Sequence, residues 1–205
     1  LNAIEALADV TDKANVGAAQ ETASGNYSYG FGKNTLPSNT GDGNTASGYY
    51  ALKSNVTGSY NTAAGAYAMM STISGSYNTE SGYYSLRSAT GSNNTASGTY
   101  SLAQTTSGDG NTGIGNHALE NNTTGGSNVA VGRYALESNT TASENTGVGY
   151  RAAYENTTGA GNTAIGTQAL DANATGANNV AVGHDAAKAA TGGETVAIGY
   201  AALAT

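Results

Sequence analysis

Residues 161–176 read Gly161-Asn-Thr-Ala-Ile-Gly-Thr-Gln-Ala-Leu-Asp-Ala-Asn-Ala-Thr-Gly176, a short alternating run between glycines followed by a second stretch that ends on Thr-Gly. Working outward, the pentad that opens it recurs along most of the chain, starting at Asn44, Asn61, Asn78, Asn94, Asn111, Asn128, Asn145, Asn162, Asn179 and Thr195. The intervals are 17, 17, 16, 17, 17, 17, 17, 17 and 16 residues, a regularity that compositional drift would not hold. Counting the first residue of each unit as position 1, position 5 is always glycine, position 8 is Ala or Ser, and position 9 is usually Leu or Met. A Thr-Gly or Ser-Gly pair closes most units, with Thr141-Ala142 as the exception. Both 16-residue units lose the residue just before this second corner, so that loop tolerates a deletion and the pentad does not.

The physical reading is an all-β parallel β-solenoid, or β-roll, of about ten 17-residue coils. Positions 2 to 4 alternate as a short strand does, with Thr or Val at 2 and Val, Ile, Ala or Ser at 4 on one face and Ala or Gly at 3 on the other. Each coil is expected to hold two short strands, with Gly at 5 and near 15 supplying positive φ at the corners and Asn at 1 tolerating the same region. A 17-residue unit cannot bury its own apolar face, so stability must come from stacking. Ten coils at about 4.8 Å make a rod about 50 Å long. Position 1 then forms a ladder of amides, Asn44, Asn61, Asn78, Asn94, Asn111, Asn128, Asn145, Asn162 and Asn179, bonding each coil to the next. A helical reading is weaker, because Gly, Asn and Thr interrupt every window before three turns are complete.

Three segments follow. Residues 44–205 are the repeat domain, and residues 21–43 hold a degenerate first coil, Glu21 to Gly25, with a longer loop around Pro37. In residues 1–20, Leu1, Ile4 and Leu7 fall at helical spacing and predict a short helix, too narrow in its apolar stripe to stand alone and therefore an attachment segment. The first residue is not Met, so the chain reads as processed or as a piece of something longer.

Composition sets the limits on function. Of 205 residues 30 are glycine, about twice the usual share, while only 10% are charged and a single Phe and no Trp are present, so any core is small and close-packed. A net charge of −7 leaves no basic footprint for nucleic acid. Cysteine is absent, which removes disulfides and thiolate chemistry, and no apolar run reaches the ~20 residues of a membrane span.

The units Asn128-Val-Ala-Val-Gly, Asn162-Thr-Ala-Ile-Gly, Asn179-Val-Ala-Val-Gly and Thr195-Val-Ala-Ile-Gly resemble the head repeats of YadA-type trimeric autotransporter adhesins. That resemblance implies a left-handed parallel β-roll in which three chains associate. The longer unit from Gly161 to Gly176 is similar to repeats of bacteriophage tail-fibre proteins, and Ala8 to Val16 looks like linker sequence in fibres of marine phages. The 17-residue unit is longer than the usual adhesin repeat, which implies a wider second loop.

Little in the sequence suggests catalysis, and no cofactor or metal is expected. His117 and His184 lie four coils apart, roughly 20 Å along the rod, and cannot share a site. No serine sits in a nucleophile-elbow pattern. Glu120, Glu137 and Asp171 at position 10 line one edge, where the alternatives are a weak cation site and solvated surface, and the lack of a calcium-repeat pattern favours the latter. Tyrosine is the informative residue: Tyr50, Tyr67, Tyr84 and Tyr100 occupy position 7 of four successive coils, and Tyr60 and Tyr77 occupy position 17. Such ladders stabilise stacked coils, and they also offer a receptor-contact stripe of apolar area with a polar tip. Sequons at Asn55, Asn139, Asn156 and Asn173 follow from turn chemistry, not from glycosylation.

The expected function is therefore non-enzymatic: a structural and receptor-binding fibre of a virion, a homotrimeric rigid spacer on an extracellular surface. Its expected partners are itself, another virion or surface protein through residues 1–20, and a host cell-surface glycan or protein. The alternative is a head fragment of a bacterial adhesin. An ice-binding solenoid is weaker, because Val129, Val180 and Val196 interrupt the position-2 threonine ladder.

Overall fold

The computed structural model describes residues 19–21 and 27–204. The chain is an all-β parallel solenoid, with no helix among the described residues. One twelve-stranded sheet runs in sequence order through β1 (Ala19–Glu21), β2 (Tyr27–Phe31), β3 (Thr45–Ser47), β4 (Thr62–Ala64), β5 (Thr79–Ser81), β6 (Thr95–Ser97), β7 (Thr112–Ile114), β8 (Val129–Val131), β9 (Thr146–Val148), β10 (Thr163–Ile165), β11 (Val180–Val182) and β12 (Val196–Ile198). β1 pairs antiparallel with β2, and every later pair is parallel with equivalent positions aligned, as in Thr45↔Thr62 and Val180↔Val196. The helix expected in residues 1–20 falls on residues outside those described, apart from the strand at Ala19–Glu21.

Register moves the first coil. Tyr29 pairs with Thr45, so the coil before Asn44 runs from Ser28 to Gly43 and is 16 residues long, not a longer unit counted from Glu21. Ser28 disguises it by standing where the repeat has asparagine. Its hydroxyl accepts from the Asn44 N–H at 3.1 Å and donates to the Gly41 carbonyl at 3.2 Å, the same two links that an asparagine makes elsewhere.

Each coil contains one strand, not the two expected. The segment from position 7 to position 13 bonds to the next coil through its backbone, as in Leu52 N–H to Ala68 O at 3.1 Å and Ser54 N–H to Met70 O at 3.0 Å. It is not extended, because positions 7 and 9 both lie in the left-handed region, for example Tyr67 (φ 60°) and Met69 (φ 50°). This twist is what allows positions 8 and 9, adjacent in sequence, to be buried together; in a strand they would face opposite sides.

The interior of a coil is one Ala or Gly at position 3, one Ala or Ser at 8, one aliphatic residue at 9, and polar side chains at 1 and 12. Positions 2 and 4 face outward. The corner glycines do different jobs. Position 5 has positive φ, and a β-carbon on Gly132 would also lie 2.5 Å from the Gly149 carbonyl oxygen. Position 15 does not have positive φ; glycine is kept there because coils approach too closely for a side chain. The asparagines at position 1 likewise keep negative φ, and the third left-handed residue of each coil is position 17.

Candidate functional site: an aromatic ladder on the coil surface

Left-handed backbone at position 7 turns each side chain outward at the same corner of successive coils. Tyr50, Tyr67, Tyr84 and Tyr100 stack there with ring centroids 5.7, 4.7 and 5.7 Å apart and interplanar angles of 23°, 2° and 2°. The stack does not stop at tyrosine. His117 lies 5.3 Å beyond Tyr100 and Tyr134 lies 5.2 Å beyond His117, both near parallel, so six rings form one continuous column. Tyr49 and Tyr83 at position 6 meet the column edge-on, Tyr83 reaching Tyr67, Tyr84 and Tyr100. Edge contacts of this kind complement the ring quadrupole, and each pair contributes ~0.5–1.5 kcal/mol.

Cations flank the column. The Lys53 ammonium sits 4.4 Å from the Tyr50 ring, the Arg87 guanidinium 5.4 Å from Tyr84, and the Arg133 guanidinium 4.5 Å from Tyr134. A hydrogen bond between Tyr49 and Tyr50 pushes Tyr49 up to about 12 and lowers Tyr50. Beside the column a shallow groove of about 430 Å³ is lined by Arg87, Tyr100, Gln104 and Glu120 among others. Tyr60 and Tyr77 form a separate two-ring stack at position 17, 5.1 Å apart and about half exposed. His184 stacks on Tyr200 and is remote from His117 in the ladder.

The asparagines are interior. At position 1 the amide oxygen accepts the backbone N–H of the next coil's position 1, as Asn61 does from Asn78 at 3.0 Å, and the amide nitrogen, except at Asn145, donates to its own coil's position-15 carbonyl, as Asn61 does to Gly75 at 2.8 Å. They hold the coil together and are not reachable from outside. A second buried seam, which sequence reading took for turn chemistry, runs through position 12. Asn139 donates to Asn122 at 2.8 Å and to its own coil's Ala142 carbonyl at 3.0 Å, and Asn156 repeats both links. The sequon residues Asn55, Asn139, Asn156 and Asn173 are fully buried in this seam, so the folded coil has no room for a glycan on them.

Comparison with known proteins returns no family: no family model, curated protein or solved structure matches the chain. What the coil offers a partner must be read from its own surface. The outward strand faces change along the rod. β3 to β6 present Thr at position 2 with Ser or Ala at 4, whereas β7 to β12 present Ile114, Val131, Val148, Ile165, Val182 and Ile198 at position 4, with Val129, Val180 and Val196 added at position 2. Ile114 and Ile165 are 42% and 41% exposed in the single chain, and the repeat register places them in one line.

One buried group matches none of the repeat's logic. Glu80 occupies position 3, where other coils carry Ala or Gly, and is fully buried. Burial pushes its carboxyl well above the usual range; Ser85 works the other way, but that hydroxyl donates to the Gly82 carbonyl at 3.1 Å and neither carboxyl oxygen has a hydrogen-bond partner. It is an unsatisfied point of the core, and the buried Thr72 and Thr105 hydroxyls of the position-12 seam also lack a hydrogen-bond partner.

Proposed function

We propose that this chain is a non-enzymatic segment of a surface fibre, a rigid rod of three associated copies whose aromatic ladder meets a host cell-surface glycan or protein. The virion tail fibre is the reading favoured, on the resemblance of the Gly161–Gly176 unit; a bacterial adhesin head would use the same coil. Residues 1–20 would then join the rod to another virion or surface protein.

The observation that carries the assembly is the outward Ile and Val stripe on β7 to β12. The interior is filled by small residues, amides and one aliphatic side chain per coil at position 9, and these six strands place further aliphatic side chains outside it, where a single chain leaves Ile114, Ile165 and Ile198 exposed and the valines between them half-buried. Contiguous exposed apolar surface of this kind marks a contact between proteins, and six strands at about 4.8 Å make it nearly 30 Å long. A second and third copy of the same straight stripe is the partner that matches it in length and pitch. Light scattering after size exclusion tests it: a native mass of three chains of 20.2 kDa supports the fibre, and a single-chain mass sinks the trimer. Contact with the host is tested separately, by whether soluble protein blocks adsorption to cells and whether Tyr67→Ala with Tyr84→Ala abolishes the block.

A further inference from the structure

The aromatic column contains one imidazole, and that imidazole faces two carboxylates. His117 Nδ1 and a Glu120 carboxyl oxygen are in direct contact within one coil, and Glu137, at position 10 of the next coil, brings a third donor atom so that all three lie within 4.8 Å of one another. We propose that His117, Glu120 and Glu137 form a binding site for a divalent transition-metal ion, zinc or manganese in class, that clips coil 111–127 to coil 128–144.

Charge balance is the first argument. Parallel register stacks position 10 of one coil on position 10 of the next, so Glu120 and Glu137 are like charges held face to face, an arrangement that costs stability unless something neutralises it. Two acids further along the rod do have cations: Asp171 is paired with Arg151 at 3.1 Å, and Asp185 with Lys188 at 3.0 Å. Among the described residues neither Glu120 nor Glu137 has a Lys or Arg partner, and Arg133 is turned onto the Tyr134 ring instead. The groups in contact with the pair are the one shared histidine and the Tyr154 hydroxyl, which hydrogen-bonds to Glu137, while Arg87 lines the groove beside Glu120 without pairing with it.

Pre-organisation is the second. Stacking between Tyr100 and Tyr134 fixes the imidazole plane from both sides, a role that second-layer hydrogen bonds play at many metal sites. All three residues are half-buried, so their side chains are partly desolvated yet remain open to an incoming ion. One imidazole nitrogen with two carboxylate oxygens suits zinc or manganese; calcium and magnesium prefer an all-oxygen shell. Three protein donors leave the remaining coordination positions to water.

The test is calorimetric titration of the metal-free, full chain with zinc chloride and with manganese chloride. The expected result is saturation near one ion per chain and a metal-dependent rise in melting temperature, with affinity reduced at least tenfold in Glu137→Gln and in His117→Ala. Glu155→Gln, an exposed acid of the following coil, should bind as the wild type does. Melting of each variant without metal shows whether the coil still folds, and Glu137→Gln keeps the side-chain shape. Absence of saturable binding up to about 1 mM metal overturns the proposal. So does binding undiminished in the Glu120→Gln, Glu137→Gln double variant, or binding of calcium in preference to both transition metals.

Discussion

Replacing Ala142 by glycine should stabilise the protein, although glycine ordinarily does the reverse. Position 15 is glycine in the other complete coils, and a β-carbon there would crowd the amide three residues on: on Gly108 it would lie 3.0 Å from Asn111 Nδ2, on Gly58 3.1 Å from Asn61 Nδ2. Ala142 carries that β-carbon, and three residues on is Asn145. Asn145 Nδ2 is buried with no hydrogen-bond partner, whereas Asn128 and Asn162 donate to the position-15 carbonyl of their own coils at 2.9 and 2.8 Å. An orphaned buried amide costs ~1–3 kcal/mol, and glycine's extra freedom in the unfolded chain costs about 0.4–1 kcal/mol, so Ala142→Gly should gain roughly 0.5–2 kcal/mol. For a chain of this size that raises the melting temperature by about 1–8 °C. Thermal unfolding by circular dichroism measures the gain, and hydrogen exchange across residues 142–160 locates it. Gly108→Ala is the converse, expected to destabilise by about 2–4 kcal/mol through the lost Asn111 bond and a shifted neighbouring coil. An Ala142→Gly variant that melts below the wild type would refute the reasoning, because the missing bond would then owe nothing to the methyl group.

Glu80 predicts an unusual pH profile. The folded state keeps its proton after the unfolded chain has lost it, so this group's contribution is fully present below the ordinary carboxylate range. Stability then falls by about 1.4 kcal/mol per pH unit until the folded-state value is passed. Glu80→Ala should remove that slope in urea titrations between acid and neutral pH, and an unchanged slope would assign it to other groups. Asn128→Ala strands the Asn145 N–H, which has no other acceptor, and should cost about 1–3 kcal/mol in denaturant unfolding, against less than about 0.5 kcal/mol for Asn121→Ala outside the seam. Ile165→Asp places a charge in the outward apolar stripe; if three copies meet there, sedimentation should show dissociation to single chains that retain their strand signal. The exposed threonines of β3 to β6 bear on the ice-binding alternative, and dilute protein should show no thermal hysteresis.

Most of the coil was legible because a repeat states each requirement ten times over. The invariant glycine at 5, the small residue at 8 and the aliphatic residue at 9 each reported one environment, and the parallel register follows once equivalent positions must stack. The first coil escaped because Ser28 performs the asparagine's bonding without resembling it. The second strand was expected wrongly because periodicity at positions 7 to 13 says nothing of backbone handedness: Tyr, Leu, Gln and Arg are all accepted in the left-handed region there, held by coils above and below.

The candidate site divides the same way. Tyr50, Tyr67, Tyr84 and Tyr100 announced a ladder because identical residues at one position must approach each other in stacked coils. His117 bridges that ladder to Tyr134 by shape alone, which no count of tyrosines reveals. The sequence by itself determined the coil length, the stacking and the aromatic repetition, since these depend on which residue recurs at which interval. Only the tertiary structure decided that the position-12 asparagines are interior, that Ile and Val point outward while Ala points in, and that His117 faces two glutamates. Those outcomes depend on the direction of each side chain relative to its neighbours in space, and that direction is set by left-handed turns whose cause is the packing of one coil on the next.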